Sequence, residues 1–133
     1  MRRANFQTEF WQRRPAHRSA EPSERKLHIA VADLLRTSCK PGWWWSHIGH
    51  GEYRTKETGA LLQRMGLKPG MADFLLISPV GVHCWLELKS GTHAELSGAQ
   101  VLFCNEMRRR GTPYEVARDY NAAEKQLKRW GVL

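Results

Sequence analysis

Long hydrophobic runs are absent from this 133-residue chain, and their absence excludes several classes of protein. No apolar stretch approaches the roughly 20 residues that a membrane-spanning helix needs. The opening residues, MRRANFQTEFWQRR, also lack the apolar centre of a secretory signal peptide. We therefore expect no membrane partner and a location in the cytoplasm.

Cysteines are few as well. Cys39, Cys84 and Cys104 are odd in number and show no CxxC spacing, which argues against a disulfide scaffold and favours free thiols. The residues that could suggest zinc are His47, His50, His83, Cys84 and His93. Their spacing fits no standard zinc finger, and the adjacent His83 and Cys84 would point to opposite faces of a strand. Structural zinc is therefore not expected.

Acidic residues are scarce relative to basic ones. Lys and Arg total 21 against 13 Asp and Glu, a net charge of +8, which favours a polyanionic partner such as nucleic acid. Residues 1–20 hold five arginines against one glutamate, a net +4, without helical or strand periodicity. We interpret them as a flexible basic arm preceding one domain, residues 21–133. A solvated tail with no role is the alternative.

Hydrophobic periodicity and turn residues predict the order helix, strand, helix, strand, strand, helix, strand, helix. We expect Ser23 to cap the first helix. The third helix should begin at Ser97 and bury Val101, Leu102 and Met107. This order indicates an α/β domain with a small mixed central sheet flanked by helices.

The stretch PGMADFLLISPVGVHCWLELKSG is typical of a hairpin. Pro79 suits the second position of a type I turn and Gly81 the left-handed residue after it, so a three-residue loop is predicted. This loop places Asp73 opposite Glu87, whereas a two-residue loop would place Asp73 opposite Leu86. In the predicted register the apolar face carries Phe74, Leu76, Cys84, Leu86 and Leu88.

The other face carries Asp73, Glu87 and Lys89, and this grouping needs an explanation. Directly opposed residues have Cβ atoms about 5 Å apart, and like charges there are destabilising. Either Lys89 or a divalent cation could compensate, and oxygen ligands point to Mg²⁺ or Mn²⁺. The same residue types suit metal-assisted phosphodiester hydrolysis. A solvated face with a Glu87–Lys89 ion pair is the alternative.

The ordered segments SERKLHIAVADLL, HIGHGEYRTKETGALLQRMGLKPGMADFLL, WLELKSG and LSGAQVLF resemble the virus-type replication-repair nuclease (VRR-NUC) domain of the PD-(D/E)xK superfamily. The resemblance runs from about Ser23 to the C-terminus. It implies a restriction-endonuclease-like core and Mg²⁺- or Mn²⁺-dependent DNA cleavage. Stand-alone, phage-type members resemble homodimeric endonucleases of DNA repair that cut branched DNA such as Holliday junctions, in bacteria or phage-infected cells. Ala72 replaces the usual proline, and His50-Gly51 replaces the usual Asn-Gly.

The resemblance also implies roles for individual residues. Asp73, Glu87 and the backbone carbonyl of Leu88 would bind the metal, and Lys89 would position the nucleophile. Glu24 would assist through metal or water, although a glutamate in a first helical turn also suits the helix dipole. Gln100 would reach toward the active centre, although Ser97-x-x-Gln100 is also a capping box.

Phosphate contacts and a partner subunit complete the prediction. The candidate DNA-binding residues are Arg54, Lys56, Arg64 and Lys68, each of which could instead be merely solvated. Trp43, Trp44, Trp45 and Trp130 offer apolar surface for the core and for a homodimer interface. A rival function is a non-catalytic nucleic-acid-binding module that retains the nuclease fold. The intact Asp, Glu and Lys set argues against it, because carboxylates facing a phosphate backbone would only weaken binding.

Overall fold

The computed structural model describes residues 22–48 and 55–133, and within these ranges a sheet lies between two layers of helices. The elements are α1 (Pro22–Ser38), β1 (Trp44–His47), α2 (Lys56–Arg64), β2 (Phe74–Ile77), β3 (His83–Leu88), α3 (Gly98–Arg109), β4 (Tyr114–Ala117) and α4 (Tyr120–Trp130). Their order is the predicted one. None of the described helices combines the length and the apolar character needed to cross a membrane.

The sheet has four strands in the order β1-β2-β3-β4. β1 pairs antiparallel with β2, and β2 antiparallel with β3. β4 pairs parallel with β3, and α3 connects the two, because parallel neighbours need a crossover. The predicted α/β class with a small mixed sheet flanked by helices is confirmed.

The hairpin between β2 and β3 has the register that its turn residues predict. Ser78 N–H donates to the Val82 carbonyl at 2.8 Å, and Gly81 N–H donates to the Ser78 carbonyl at 2.9 Å. Gly81 has φ +85°, the left-handed conformation that closes a three-residue loop. Phe74 pairs with Leu86, so one step further along the ladder Asp73 comes opposite Glu87.

The two faces of the sheet are covered by different helices. α1 and α4 cover the face that carries the predicted apolar residues, and together they form the larger core. Its buried members from the sheet are Phe74, Leu76, Cys84, Leu86, Leu88 and Ala117. α3 covers the opposite face, where Trp85 and Tyr114 pack with Cys104 and with half-buried Phe103. The face that carries Glu87 is therefore a second core and is not solvated at Glu87, although the ion pair of the alternative is present, with Lys89 Nζ 4.0 Å from Glu87 Oε1.

Two local predictions are also wrong. α1 begins at Pro22, so Ser23 lies inside its first turn, where proline is well tolerated because it has no N–H to leave unpaired. In α3, Val101 and Leu102 are exposed, whereas Met107, the third residue predicted to face inward, packs against the second core together with Ala99 and Cys104. Only the Val101 and Leu102 parts of that prediction are wrong.

The tryptophans divide between core and surface. Trp43, Trp45 and Trp130 are half-buried against the larger core, whereas Trp44 is 54% exposed on β1. Three further predictions fall outside the described residues, namely those for the basic arm 1–20, His50 and Arg54.

Candidate functional site

Four elements bring polar side chains to one end of the sheet. Asp73 immediately precedes β2, Glu87 and Leu88 end β3, and Lys89 follows. The first turns of α1 and α3 supply Glu24 and Gln100 from the two helical layers. Because β2 and β3 are antiparallel, the start of one lies beside the end of the other. The hairpin register therefore builds this cluster.

Asp73 accepts hydrogen bonds from residues on both sides of its strand. Its Oδ2 accepts the N–H of Leu88 at 2.7 Å. Its own carbonyl accepts the N–H of Ile48 at 2.9 Å and the Nδ1–H of His47 at 2.8 Å. A carboxylate whose oxygen is bound by a backbone N–H has a defined orientation, so Oδ1 is directed away from Leu88.

Glu87 is the one buried charged side chain among the described residues, with 2% of its surface exposed. Gln100 Nε2 donates to its Oε1 at 2.9 Å, and Lys89 Nζ lies 4.0 Å from the same oxygen. Its Oε2 is buried with no hydrogen-bond partner in the described structure. Oε1 is thus bound by Gln100, and the Asp73 carboxyl lies close enough to hydrogen-bond the Glu87 carboxyl when one of the two is protonated.

Burial, together with the neighbouring Asp73 charge, raises the pKa of Glu87 to about 9. The Lys89 ammonium opposes this shift, and Glu24 adds a smaller contribution in the same direction as Asp73. Glu24 therefore lies within electrostatic reach of the pair. A buried carboxylate beside a second one favours its neutral form unless a cation lies between them.

Gln100 forms the predicted capping box and also contacts Glu87. Ser97 Oγ accepts the N–H of Gln100 at 3.2 Å, and Gln100 Oε1 accepts the N–H of Ser97 at 2.8 Å. This capping box occupies the amide oxygen and leaves the amide nitrogen to bind Glu87. The helix cap thereby orients the side chain that reaches the site.

Gly70 sets how closely α3 approaches the loop that leads to Asp73. A Cβ built on Gly70 would lie 2.3 Å from the carbonyl carbon and oxygen of Ala99 and 2.6 Å from the nitrogen of Gln100. Its φ of +76° also favours glycine. No other residue type would let the N-terminus of α3 come this close.

Two histidines lie beside this cluster. The sequence prediction assigns neither to the site, and it considers His47 only as a zinc ligand, which it dismisses. His28 on α1 has its Nδ1 4.0 Å from Asp73 Oδ1, and His47 ends β1 beside it, with ring centroids 4.4 Å apart. Burial lowers the pKa of His28, while Asp73 opposes that shift, so the neutral imidazole is favoured. The spacing of Glu24 and His28, four residues apart on α1, is the available signal, since such pairs share a helix face.

The donor set fits a divalent cation. Asp73 and Glu87 present carboxylate oxygens, one of them buried and without a hydrogen-bond donor, and the pKa of Glu87 stays raised although the Lys89 ammonium opposes the shift. Hard divalent ions take such oxygens. A second combination is His28, His47 and Asp73, whose ligand atoms all lie within 4.8 Å of one another.

The candidate phosphate-binding residues differ from this buried cluster in their exposure. Lys56, Arg64 and Lys68 lie outside the buried core, at the two ends of α2 and in the loop after it. Cations on the surface suit contacts to a phosphate backbone, which carry no sequence information directly. Their assignment stays a prediction.

Comparison with known proteins identifies the fold. Neither a protein-family model nor a curated relative matches the sequence. A solved structure of a VRR_NUC domain superposes with a TM-score of 0.58 at 17% identity, covering 81% of this chain and 97% of its own. A second structure, of a VRR_NUC domain protein, has a TM-score of 0.67 at 15% identity, covering 81% of this chain and 87% of its own. This similarity in three dimensions agrees with the resemblance of the sequence segments, and the chain has the α/β fold of these VRR_NUC domain structures.

Proposed function

We propose that this protein is a metal-dependent nuclease that hydrolyses phosphodiester bonds in DNA. The observation that carries the proposal is the Asp73–Glu87 carboxylate pair at the end of the sheet, with Lys89 and Gln100 against the buried Glu87. A buried carboxylate oxygen without a hydrogen-bond donor destabilises a fold. Its presence here therefore suggests that the carboxylate serves a function. Holding a divalent cation is the use that these ligands suit.

Each residue has a distinct part in this proposal. Asp73 and Glu87, together with the Leu88 carbonyl, would hold Mg²⁺ or Mn²⁺, with Glu24 as a further candidate ligand. A divalent ion there would polarise a phosphate oxygen and lower the pKa of a nearby water. Lys89 would orient the attacking water and offset developing negative charge, and Gln100 keeps Glu87 Oε1 in place.

The substrate we propose is branched DNA, such as a Holliday junction, bound by a homodimer in the cytoplasm of a bacterium or phage-infected cell during DNA repair. The net charge of +8 supports a polyanionic substrate. Surface cations at Lys56, Arg64 and Lys68 support backbone contacts rather than base contacts, as structure-selective recognition requires. We include Arg54 and residues 1–20 among the DNA contacts.

The test is cleavage of a labelled panel, consisting of a four-way junction, a flap, a splayed arm and a duplex, in Mg²⁺ or Mn²⁺. We expect cleavage of branched substrates by the wild type and none after chelation with EDTA. Asp73→Asn and Glu87→Gln should abolish cleavage and weaken Mn²⁺ binding. Lys89→Ala should lose cleavage while still binding Mn²⁺, because it removes no metal ligand.

Glu115→Gln is the matched control, because Glu115 is an exposed carboxylate on β4 that the proposal does not use. It should cleave like the wild type. Tight junction binding without cleavage in either metal would favour the non-catalytic binding module instead. Cleavage that resists EDTA would contradict the metal-dependent mechanism.

A further inference from the structure

We propose that His28 and His47 form, with Asp73, a nitrogen-containing metal position beside the carboxylate pair, and that this position binds Mn²⁺ in preference to Mg²⁺. The inference rests on the proposed function insofar as it deepens the chemistry of the same site. The proposed position lies on the side of Asp73 that faces α1, whereas Glu87 and Gln100 lie on the side of α3.

Geometry is the first reason. The three residues come from α1, β1 and the start of β2, and their ligand atoms lie within 4.8 Å of one another. His28 Nδ1 and Asp73 Oδ1 are 4.0 Å apart, which is too long for a hydrogen bond. Two ligands each about 2.1 Å from a shared ion are at most about 4.2 Å apart, so one ion can span His28 Nδ1 and Asp73 Oδ1 as they stand. The other pairs, at up to 4.8 Å, would need at most a small inward movement when an ion binds.

The orientation of each ligand is the second reason. His47 Nδ1 must donate its hydrogen to the Asp73 carbonyl, 2.8 Å away, because a carbonyl only accepts. A metal ion would therefore bind His47 through Nε2. A metal-binding histidine typically donates its other ring N–H to a carbonyl or carboxylate in this way.

The other two ligands are also pre-oriented. The His28 ring stacks on Phe74, with centroids 4.5 Å apart and planes inclined by 27°, and it meets the His47 ring edge to face. Asp73 Oδ2 is bound to the N–H of Leu88, which leaves Oδ1 toward His28. Little side-chain freedom would be lost when an ion binds.

Ligand chemistry is the third reason. Mg²⁺ strongly prefers oxygen ligands, whereas first-row transition ions accept imidazole nitrogen, and Mn²⁺ accepts both. A position built of two imidazoles and one carboxylate should discriminate against Mg²⁺. The sequence prediction of oxygen ligands alone does not include this position.

The experiment measures metal binding and not only activity. Isothermal titration of the full chain with Mn²⁺ and with Mg²⁺ is compared among the wild type, His28→Gln and His47→Gln. We expect each variant to weaken Mn²⁺ binding by about tenfold or more, with a much smaller change for Mg²⁺. His83→Gln is the matched control, since His83 is exposed at the other end of the hairpin, and it should change neither.

A spectroscopic measurement on the wild type does not depend on whether the variants fold. Pulsed EPR of bound Mn²⁺ should show coupling to imidazole nitrogen, and this coupling should diminish in each folded variant. Absence of nitrogen coupling in the wild type would overturn the inference, even if the protein cleaves DNA with Mg²⁺. Nitrogen coupling without cleavage in any metal would instead leave this position standing and refute the nuclease function.

Discussion

At the scale of single residues, the burial of Glu87 lowers the stability of the metal-free fold, while the same burial suits the metal binding that we propose. Its side chain is buried between β3 and α3 with one oxygen bound by Gln100 and the other unpartnered. Burial without a compensating cation favours the protonated form. The metal-free fold should therefore be sensitive to pH through this one carboxyl.

The first prediction concerns that sensitivity. The pKa of Glu87 is raised from its ordinary value of 4.5 to about 9 in the fold, so the native state binds a proton that the unfolded state releases. The resulting stabilisation is complete below pH about 4.5, declines as pH rises, and is lost above about 9. The greatest slope from one proton is about 1.4 kcal/mol per pH unit.

Glu87→Gln should remove this contribution and flatten the curve between those limits. The variant should also be more stable than the wild type near pH 8 in EDTA, because a neutral amide takes up no proton when the chain folds, whereas Glu87 must. Urea denaturation across the pH range measures both effects. Parallel curves for wild type and variant would mean that Glu87 is already ionised in the metal-free fold.

The sequence predicts two of the contacts in this cluster. The turn residues place Asp73 and Glu87 together, and the family resemblance assigns Gln100 to the centre that it contacts. The sequence does not predict that His28 and His47 lie together. One is on a helix and the other on an edge strand, so no fixed spacing in the sequence links them. Only the pairing of β1 with β2, which puts His47 opposite Phe74, brings them to Asp73.

At the scale of elements, the position of α3 decides whether Gln100 reaches Glu87. Gly70 allows the N-terminus of α3 to lie against the loop before β2, with no room for a side chain. The capping box then directs the Gln100 amide nitrogen toward the sheet. A shift of this helix should disturb the site without altering any of its polar residues.

The second prediction tests that coupling with Gly70→Ala, and Gly81→Ala is its matched control. Both glycines have positive φ, so each substitution should cost about 1–2 kcal/mol of backbone strain. A Cβ at Gly81 meets nothing within 4 Å, whereas one at Gly70 meets the backbone of α3. Gly70→Ala should therefore cost about 1–3 kcal/mol more.

Gly70→Ala and Gly81→Ala should also differ in DNA cleavage and in Mn²⁺ affinity. Gly70→Ala should weaken both, because the contact between Gln100 and Glu87 is displaced, and Gly81→Ala should leave both near wild type. Urea denaturation and titration calorimetry measure stability and affinity. Equal effects in the two glycine variants would show that the approach of α3 is not what orders the site.

Turn and capping residues predict the ends of the helices and strands in which they lie. The hairpin register follows from Pro79 and Gly81, and the start of α3 from Ser97. The rotation of α3 about its axis is not predictable in the same way. It follows from the small residues Ala99 and Cys104 facing the sheet, whereas hydrophobicity alone favours Val101 and Leu102.

At the scale of the whole molecule, charge should dominate DNA binding. The net charge is +8, and residues 1–20 carry +4 of it. The third prediction is that deleting residues 1–20 weakens junction binding and reduces the salt dependence of the affinity. Each phosphate that the arm neutralises should contribute about 0.9 to the slope of log K against log salt.

Fluorescence anisotropy at several salt concentrations measures this slope. Mn²⁺ binding by the truncated protein is the control, and it should be unchanged, since none of the proposed ligands is removed. A slope that stays the same after the deletion would show that the arm binds no phosphate.

The fourth prediction is the assembly state. Symmetric resolution of a four-way junction needs two active sites related by a two-fold axis, and this chain supplies one. We therefore expect a C₂ homodimer, the commonest oligomer symmetry. Trp43, Trp45 and Trp130 pack on the core of their own chain, so Trp44 is the strongest of the four tryptophan candidates for the interface.

Trp44 is 54% exposed on β1, which is an edge strand of the described sheet. An edge strand can pair with its copy, and a large aromatic residue there supplies buried area. Light scattering at micromolar concentration should report about twice 15.4 kDa, and Trp44→Lys should shift the protein toward the monomer. Val80→Lys, at an apolar and exposed position on the hairpin tip, is the control and should remain dimeric. A wild-type monomer that still resolves junctions would refute the dimer, because one site would then suffice for both strands.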